Sequence, residues 1–571
     1  MNQLQTTLNR NPLIWVRDFW RLAKPYWNSE EKFKASLLLA LCIIFNLLAI
    51  AGTVMINKWY NVFYDAIQNY NKVAFYHAII KFCIIAFVYI ACMISAFYCQ
   101  KVLEIKWRRW LTKYYLEQWF SYKAYYKTKF LSAISDNPDQ RISIDISSYI
   151  SVSVTLILGL LISLVTLVSF SIMLWDLSGT ISFAIAGHKI TIYGYMLWAA
   201  VIYAIAGTYV MFKIGRPLIR LDYLKQVYEA DFRYGLVRVR EYSENIAFYN
   251  GEAPEKANLM RRFTHVVNNF MAIIFRQIKI SIFGSGYAQL AIIFPIVVAA
   301  PRYFAKLIKL GAVMQILNAF GKVQDSLSYF INAYTTLSDW RATMDRLLGF
   351  QTAIKEASEL KILAIQKHGM HTLKLKHVKL NLPDGEPLAQ NISFCLESGD
   401  RLLVRGRSGC GKTTLLRTIA GLWSFAEGDI SQAPNLNSLF ISQKPYLPID
   451  QLRNAICYPK IKDLPDNSTL VKIMQDCQIG HLMTKLNKVM DWNNTLSLGE
   501  QQRVAFCRIL INKPDIVYLD EATSALDEEN EAILYNLIIK HLPNTTIVSV
   551  AHRSSVSRWH TQELDFNQLP I

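Results

Sequence analysis

Two kinds of hydrophobic pattern follow one another along the chain. In the first 340 residues or so the apolar side chains gather in long uncharged runs, at 35–57, 82–100, 146–175, 190–212 and 280–301. Each run is close to the roughly 20 residues that a helix needs to cross a hydrocarbon core. A sixth run, 310–338, is as long but contains Lys322 and Asp325. The pattern predicts six membrane-spanning helices. Lys322 and Asp325 are three residues apart, so they share a helical face and can neutralise each other. Such a face either lines a pathway across the membrane or marks the wet end of the helix. Ahead of the first run, Trp15, Phe19, Trp20, Ala23 and Trp27 recur at helical spacing, with Arg17, Arg21 and Lys24 on another face. That predicts an amphipathic helix, either lying in the membrane interface or packed on a core.

From about residue 371 the apolar runs shorten to three to five residues, among them Leu402–Val404, Ile516–Leu519 and Ile547–Ala551, separated by amphipathic stretches. This is the alternation of an α/β domain. Residues 346–370, with Lys355, Glu356, Glu359, Lys361 and Lys367, read as a charged linker. The expected organisation is a membrane domain over 1–345, a linker over 346–370 and a compact domain over 371–571.

Charge changes the picture by adding a direction. The 571 residues carry a formal net charge of +18. Nine basic residues fall in 101–141 and ten in 213–262, while the intervening loop 176–189 offers only Lys189. Positive loops stay in the cytosol, so the N-terminus, both long loops and the C-terminal domain are expected there. The basic excess is thereby explained, and no nucleic-acid partner is expected. The first long apolar run begins only near residue 35, too late for a cleavable signal. Nine cysteines without paired or metal-ligand spacing fit a reduced setting.

The candidate chemistry lies in the C-terminal domain. Gly406-Arg407-Ser408-Gly409-Cys410-Gly411-Lys412-Thr413 fits the phosphate-binding loop, with an apolar strand before it and a helix from Thr413 to Ala420 after it. The glycines let backbone N–H groups cradle phosphate oxygens. Lys412 would reach the β- and γ-phosphates, and the Thr413 hydroxyl would ligate Mg²⁺. Ile516-Val517-Tyr518-Leu519-Asp520 is a buried-strand run ending in an acid, followed by Glu521. Asp520 is placed to hold Mg²⁺ and Glu521 to orient or deprotonate an attacking water, which argues for hydrolysis rather than binding alone. Ser497 and the Gly499 backbone N–H open a helix whose N-terminus can meet an anionic phosphate. Gln443 and His552 each follow a short apolar strand.

In this order the residues resemble the ATP-binding cassette ATPases: phosphate loop with Thr414 beside it, glutamine loop at Gln443, signature at Leu496–Arg503, acidic strand, Ser524-Ala525-Leu526-Asp527, and a histidine switch at His552. The resemblance implies that Gln443 couples the γ-phosphate and Mg²⁺ to the membrane domain and that His552 contacts the γ-phosphate. Asp527 joins the ATP contacts on the same ground. It also implies that Ser497 and Gly499 act on ATP held by a second, facing cassette, so that the working unit is a dimer of two chains. The signature departs from the commonest form at Leu498 and Glu500. No aromatic residue stands in the Leu380–Pro387 turn, where many cassettes stack adenine.

The membrane half is similar to the bacterial BacA-type proteins, relatives of the peroxisomal acyl-CoA transporters. The similarity rests on Phe63-Tyr64-Asp65-Ala66, Asn137–Ile142, Glu244–Tyr249, Pro301-Arg302-Tyr303-Phe304, Leu310-Gly311, Met314-Gln315 and Ala319-Phe320. It implies an exporter-type membrane fold of six spans fused to an α/β P-loop NTPase domain. The implied activity is ATP-driven movement of a bulky solute, such as cobalamin or a peptide, across a bacterial inner membrane with its lipid. Fatty acids or acyl-CoA are the alternative cargo. A reading of another class, an ATP-gated pore or sensor, is also open to a chain of this pattern.

Overall fold

The computed structural model describes residues 12–130, 137–185, 188–360, 363–367, 371–460, 462 and 464–570. They form two compact units, Met1–Phe120 with Ile134–Thr352, and Ser121–Ala133 with Ala353–Ile571.

The first unit is helical. Its long helices are α1 (Pro12–Trp27), α2 (Lys32–Gln68), α3 (Lys72–Phe120), α4 (Ile146–Ser178), α5 (Tyr195–Glu241), α6 (Glu252–Phe304), α7 (Leu310–Asn332) and the first part of α8 (Tyr334–Glu359). Among the described residues, five helices are long and apolar enough to cross a membrane, those containing α2 to α6. At 49 residues α3 is about 74 Å long. That is more than twice a hydrocarbon core of about 30 Å, so an expected span such as 82–100 is only the apolar section of a longer rod.

The expected sixth span, 310–338, is not among those five. The helix there is broken at Ala333, and polar residues thin its apolar run. Several of them serve contacts with α2. Asn57 donates to the Gln315 carbonyl (3.1 Å) and to Asn318 Oδ1 (3.0 Å), Asn61 donates to Gln315 Oε1 (2.9 Å), and Asp65 Oδ1 and Gln68 Oε1 accept the N–H groups of Gly311 and Leu310 (both 3.0 Å). Asn57, Asn61, Asp65 and Gln68 recur at helical spacing, so one polar stripe of α2 is matched to α7. The Leu310-Gly311 pair therefore meets Asp65. A Cβ on Gly311 would lie 2.1 Å from the Asn61 carbonyl oxygen, so this approach requires glycine. Lys322 and Asp325, which could neutralise each other from one helical face, form no ion pair with each other among the described residues.

Other expectations shift as well. Thr180–Ile185 (β1) and His188–Tyr193 (β2) pair antiparallel, so the helix that carries the run 190–212 begins at Tyr195. Gly179 and Gly194, at φ 57° and 64°, close the base of this hairpin with a 3.2 Å hydrogen bond. Arg302 Nη1 donates to the carbonyl of Leu177 (2.7 Å), satisfying an orphan acceptor at the C-terminus of α4. The amphipathic N-terminal helix is packed: Leu22, Ala23 and Tyr26 are buried, and Tyr26 stacks on Trp107 of α3 at 5.5 Å. Arg341 ties α8 to Asp18 of α1 at 2.8 Å. The stretch expected as a linker begins inside α8, where Phe350, Ala353, Ile354 and Ala357 make a buried apolar stripe at helical spacing.

The second unit is built on Leu373–Asn381 (β3), Pro387–Leu396 (β4), Arg401–Arg405 (β5), Ala426–Gln432 (β6), Ser438–Ile441 (β7), Ile516–Asp520 (β8), Thr546–Val550 (β9) and Gln562–Asp565 (β10). A parallel sheet has the order β10-β5-β9-β8-β7, and a smaller sheet sets β6, β3 and β4 side by side antiparallel. The three central strands β5, β9 and β8 are buried on both faces, which explains their apolar runs. Helices α9 (Lys412–Ile419), α10 (Leu498–Asn512) and α11 (Glu528–His541) belong to this unit. So does the segment after α3: Phe130 meets the rings of Trp423 (5.2 Å) and Phe425 (6.1 Å), and Lys123 Nζ donates to the Ala420 carbonyl at 3.3 Å.

Candidate nucleotide site

In a parallel sheet, ligands bind beyond the carboxyl ends of the strands, and four strand ends here carry the candidate residues. Strand β5 runs into the phosphate loop, β7 into Gln443, β8 ends at Asp520 before Glu521, and β9 leads to His552. Gly409 and Gly411 adopt φ of 84° and 106°, values that turn the loop back over the start of α9. A Cβ on Gly411 would also come within 2.8 Å of Leu388. Arg407, Ser408 and Cys410 complete the loop, with the Arg407 N–H held by Asn567 Oδ1 at 3.1 Å. Lys412 is buried, its ammonium donating to the carbonyls of Gly406 (2.7 Å) and Arg407 (2.8 Å). Thr414 follows within the first turn of α9.

Short contacts knit the site together. Thr413 Oγ1 donates to Asp520 Oδ1 at 3.2 Å. Glu521 accepts from Gln443 Nε2 at one oxygen and faces His552 Nε2 at the other, each at 3.1 Å. The structure therefore brings Thr413 beside Asp520, and Gln443 and His552 to Glu521. Glu521 has φ 49°, a left-handed conformation that a carboxylate residue rarely adopts, and its N–H donates to the Val550 carbonyl at 3.0 Å. Burial raises the Asp520 carboxyl above the usual carboxylate range, with the neighbouring Glu521 adding to it; the Thr413 hydrogen bond, Arg417 and Lys412 oppose the rise.

The signature stands apart. No hydrogen bond or ion pair joins Ser497 or Gly499 to the phosphate loop among the described residues. Ser497 caps α10 in a reciprocal box with Glu500: its backbone N–H donates to Glu500 Oε2 (2.9 Å) and its Oγ accepts the Glu500 N–H (3.3 Å). Burial would raise the Glu500 carboxyl, but hydrogen bonds from His481 (2.7 Å) and Ser497 hold it below the usual range. Gly499 packs against Ala525, where a Cβ would stand 3.2 Å from the carbonyl oxygen. Asp527 caps α11, accepting the Asn530 N–H at 2.7 Å.

Sequence reasoning passed over two residues that join these parts. Gln502, fully buried, donates to the Gln443 carbonyl (2.9 Å) and Ser524 Oγ (3.2 Å) and accepts the Ala525 N–H (3.1 Å). Arg508 reaches the carbonyls of Tyr446 and Ala455. The available signal was a polar side chain on the buried face of α10, since Gln502 lies at i, i+3, i+4 and i+7 with Ala505, Phe506 and Ile509.

This arrangement matches known proteins over nearly the whole chain. Residues 22–304 match the family described as ABC transporter transmembrane region 2, and residues 389–524 the one described as ABC transporter. An uncharacterized ABC transporter ATP-binding protein of Haemophilus influenzae is 39% identical over 550 residues, covering 96% of this chain and 92% of that protein. The chain belongs to the ABC transporter family. The inner membrane ABC transporter ATP-binding protein YddA of Escherichia coli is 32% identical over 539 residues, 94% of each chain. The human lysosomal cobalamin transporter ABCD4 is 27% identical over 498 residues, 81% of this chain and 80% of that one. An ABC transporter with a fused membrane-spanning region and ATP-binding domain is thus the architecture of this protein. The second match runs from β4 to Ser524 and includes the phosphate loop, Gln443, the signature and Glu521, while His552 lies beyond it.

Proposed function

We propose that this transporter hydrolyses ATP in two composite sites shared with a second copy of the chain, and uses the cycle to move a bulky solute across a bacterial inner membrane. The observation that carries the reading is Glu521, held between Gln443 and His552 at a strand end beside the phosphate loop. A sensor needs no carboxylate poised in this way.

Lys412 and the loop N–H groups of 406–414 bind the phosphates. The residues present suit Mg²⁺, because the Thr413 hydroxyl, the Asp520 carboxylate and the Gln443 amide oxygen are hard oxygen donors. When bound, Mg²⁺ supplies charge neutralisation at the phosphates. Glu521 orients the attacking water and accepts its proton at a carboxylate oxygen, and His552 holds Glu521 and the γ-phosphate in register. Ser497 and Gly499, with Asp527 behind them, complete the site of the facing copy through the positive end of α10. ATP binds the closed pair better than the open pair, and that preference reorients the membrane helices.

Loop charge supports a cytosolic ATP-binding domain, and the name of the Escherichia coli relative supports the inner membrane. The human relative's name supports a bulky cargo such as cobalamin or a peptide ahead of acyl lipids. The test is ATP turnover by nanodisc-held protein. Glu521→Gln is expected to lower turnover by about 100-fold or more while ATP still binds. Equal turnover by the two proteins would sink the hydrolytic role.

A further inference from the structure

Three unlike side chains converge at the open end of the β3–β4 hairpin in the second unit. Cys395 lies in β4 and Glu397 just past its end, two residues apart and so on one face of the strand. Leu373 pairs with Leu396 in the register, which sets His371, just ahead of β3, beside Glu397. His371 Nδ1 and Glu397 Oε1 share a hydrogen bond across 26 residues of chain. One ligand atom from each of His371, Cys395 and Glu397 lies within 4.8 Å of the other two. A Cys-x-Glu pair with one distant histidine matches none of the compact metal-ligand spacings, so only strand pairing reveals the group.

The backbone beneath it is fixed on both strands. The Glu397 N–H donates to Asp400 Oδ2 (2.9 Å), its carbonyl accepts from Thr546 Oγ1 (2.9 Å), and the Thr372 carbonyl accepts the Ala433 N–H (3.3 Å). A ligand bound on such a frame has to order only three side chains. Zinc bonds of about 2.0–2.3 Å in a tetrahedron set the ligand atoms about 3.3–3.6 Å apart. Side-chain rotation reaches that spacing, because His371 and Cys395 are half-buried and Glu397 is exposed. The donors also select the ion. A thiolate is a poor ligand for Mg²⁺ or Ca²⁺ and a carboxylate a poor one for Cu(I), whereas nitrogen, sulfur and oxygen together suit Zn²⁺. Thiolate and carboxylate bring two negative charges, which neutralise a divalent cation. Lys374, opposite Cys395 in the register, then faces a neutral centre.

We propose that His371, Cys395 and Glu397 bind a zinc ion, with solvent in its fourth position, and that the ion clips together the two open ends of the β3–β4 hairpin. Binding releases the thiol proton to solvent and leaves the imidazole neutral, its proton on the ring nitrogen away from the metal. The clip sits where strand pairing ends, just before the chain turns into β5 and the phosphate loop. It shares no residue with the nucleotide site and does not depend on the transport reading.

The test uses the full chain in nanodiscs, freed of metal with a chelator and titrated with Co²⁺ as a coloured stand-in for Zn²⁺. Bound Co²⁺ should show the strong visible bands of a four-coordinate ion and a thiolate-to-cobalt charge-transfer band. Zn²⁺ should bleach them, and excess Mg²⁺ should leave them unchanged. Cys395→Ser should remove the charge-transfer band, while Cys83→Ser and Cys410→Ser should keep it. His371→Gln and Glu397→Gln should each weaken binding about tenfold or more. No charge-transfer band, a band that survives Cys395→Ser or is lost in Cys410→Ser, displacement by Mg²⁺, or undiminished binding in both glutamine variants would each overturn the site. Hydrogen exchange tests the clip. With free Zn²⁺ at about 100 times its dissociation constant, opening of 371–381 and 387–397 should become about 100-fold rarer in the wild type and stay unchanged in Cys395→Ser. Equal protection of the wild type with and without Zn²⁺ would overturn the clip.

Discussion

Arg508 offers the most direct check on how the ATP-binding domain is held together. It is 5% exposed, and among the described residues no carboxylate is paired with it. Its guanidinium donates to the Ala455 carbonyl from Nε (3.1 Å) and Nη2 (2.8 Å), and from Nη2 to the Tyr446 carbonyl (2.9 Å). It also lies 5.3 Å from the centre of the Tyr458 ring. Burial lowers its pKa to about 10, so it stays charged at neutral pH. The Ala455 carbonyl ends a short helix in which the usual donor four residues on would be Pro459, which has no N–H. Arg508→Met keeps the bulk but strands two carbonyls, each costing about 1–3 kcal/mol when buried. Relief from burying the cation offsets part of this, leaving a loss of about 3–4 kcal/mol. Arg508→Lys, a single ammonium in place of a fork, should lose about half as much. Hydrogen-exchange mass spectrometry of nanodisc-held protein reads α10 and residues 446–457 separately from the helical unit. Both segments should open more readily, by about 100-fold or more in Arg508→Met. A change below about threefold in both would refute the claim that the guanidinium fork holds α10 to the segment after Gln443.

Two further perturbations test other parts of the fold. Gly311→Ala puts a methyl group 2.1 Å from the Asn61 carbonyl oxygen, so α7 must move from α2 and loosen the bonds to Asp65 and Gln68. A loss of about 2–3 kcal/mol is expected, read as a lower unfolding temperature in nanodiscs, and an unchanged temperature would contradict the close approach. His560 is half-buried, its Nε2 2.8 Å from Ser549 Oγ and its Nδ1 2.9 Å from the Val556 carbonyl, and the desolvation of its ring holds its pKa below the ordinary 6.5. The unfolded chain therefore takes up the proton first. Its contribution to stability is complete above about 6.5 and is lost as pH falls through the lowered folded value. Exchange protection of β9 should fall over that acid range in wild type and less steeply in His560→Gln; parallel slopes would show that His560 does not carry the dependence.

Much of the ATP-binding domain was legible along the chain because its chemistry is local. A phosphate loop needs its glycines and lysine within eight residues, and a strand buried on both faces needs an unbroken apolar run such as Ile516–Leu519. Periodicity likewise found the long helices α2 to α6. It could not see where they end, since a helix that leaves the bilayer goes on as a polar helix, as in α3, which is 49 residues long in all. It also read 346–370 as a linker because Lys355, Glu356 and Glu359 alternate with the short apolar stripe of α8 and leave no long apolar run.

Everything that depends on two distant segments waited for the tertiary structure. Glu521 is separated by 78 residues from Gln443, and only the adjacency of β7, β8 and β9 in the sheet sets Gln443 and His552 on its two oxygens. Asp65 and Gly311 are 246 residues apart and meet because one polar stripe on α2 matches one on α7. Lys322 and Asp325, three residues apart on one helical face, could have paired, yet of the two only Asp325 lines a cavity between α2, α6 and α7. Residue types and their spacing determine which chemistry is available. Which groups face one another is decided by packing, because burial and close approach act through space and not along the chain.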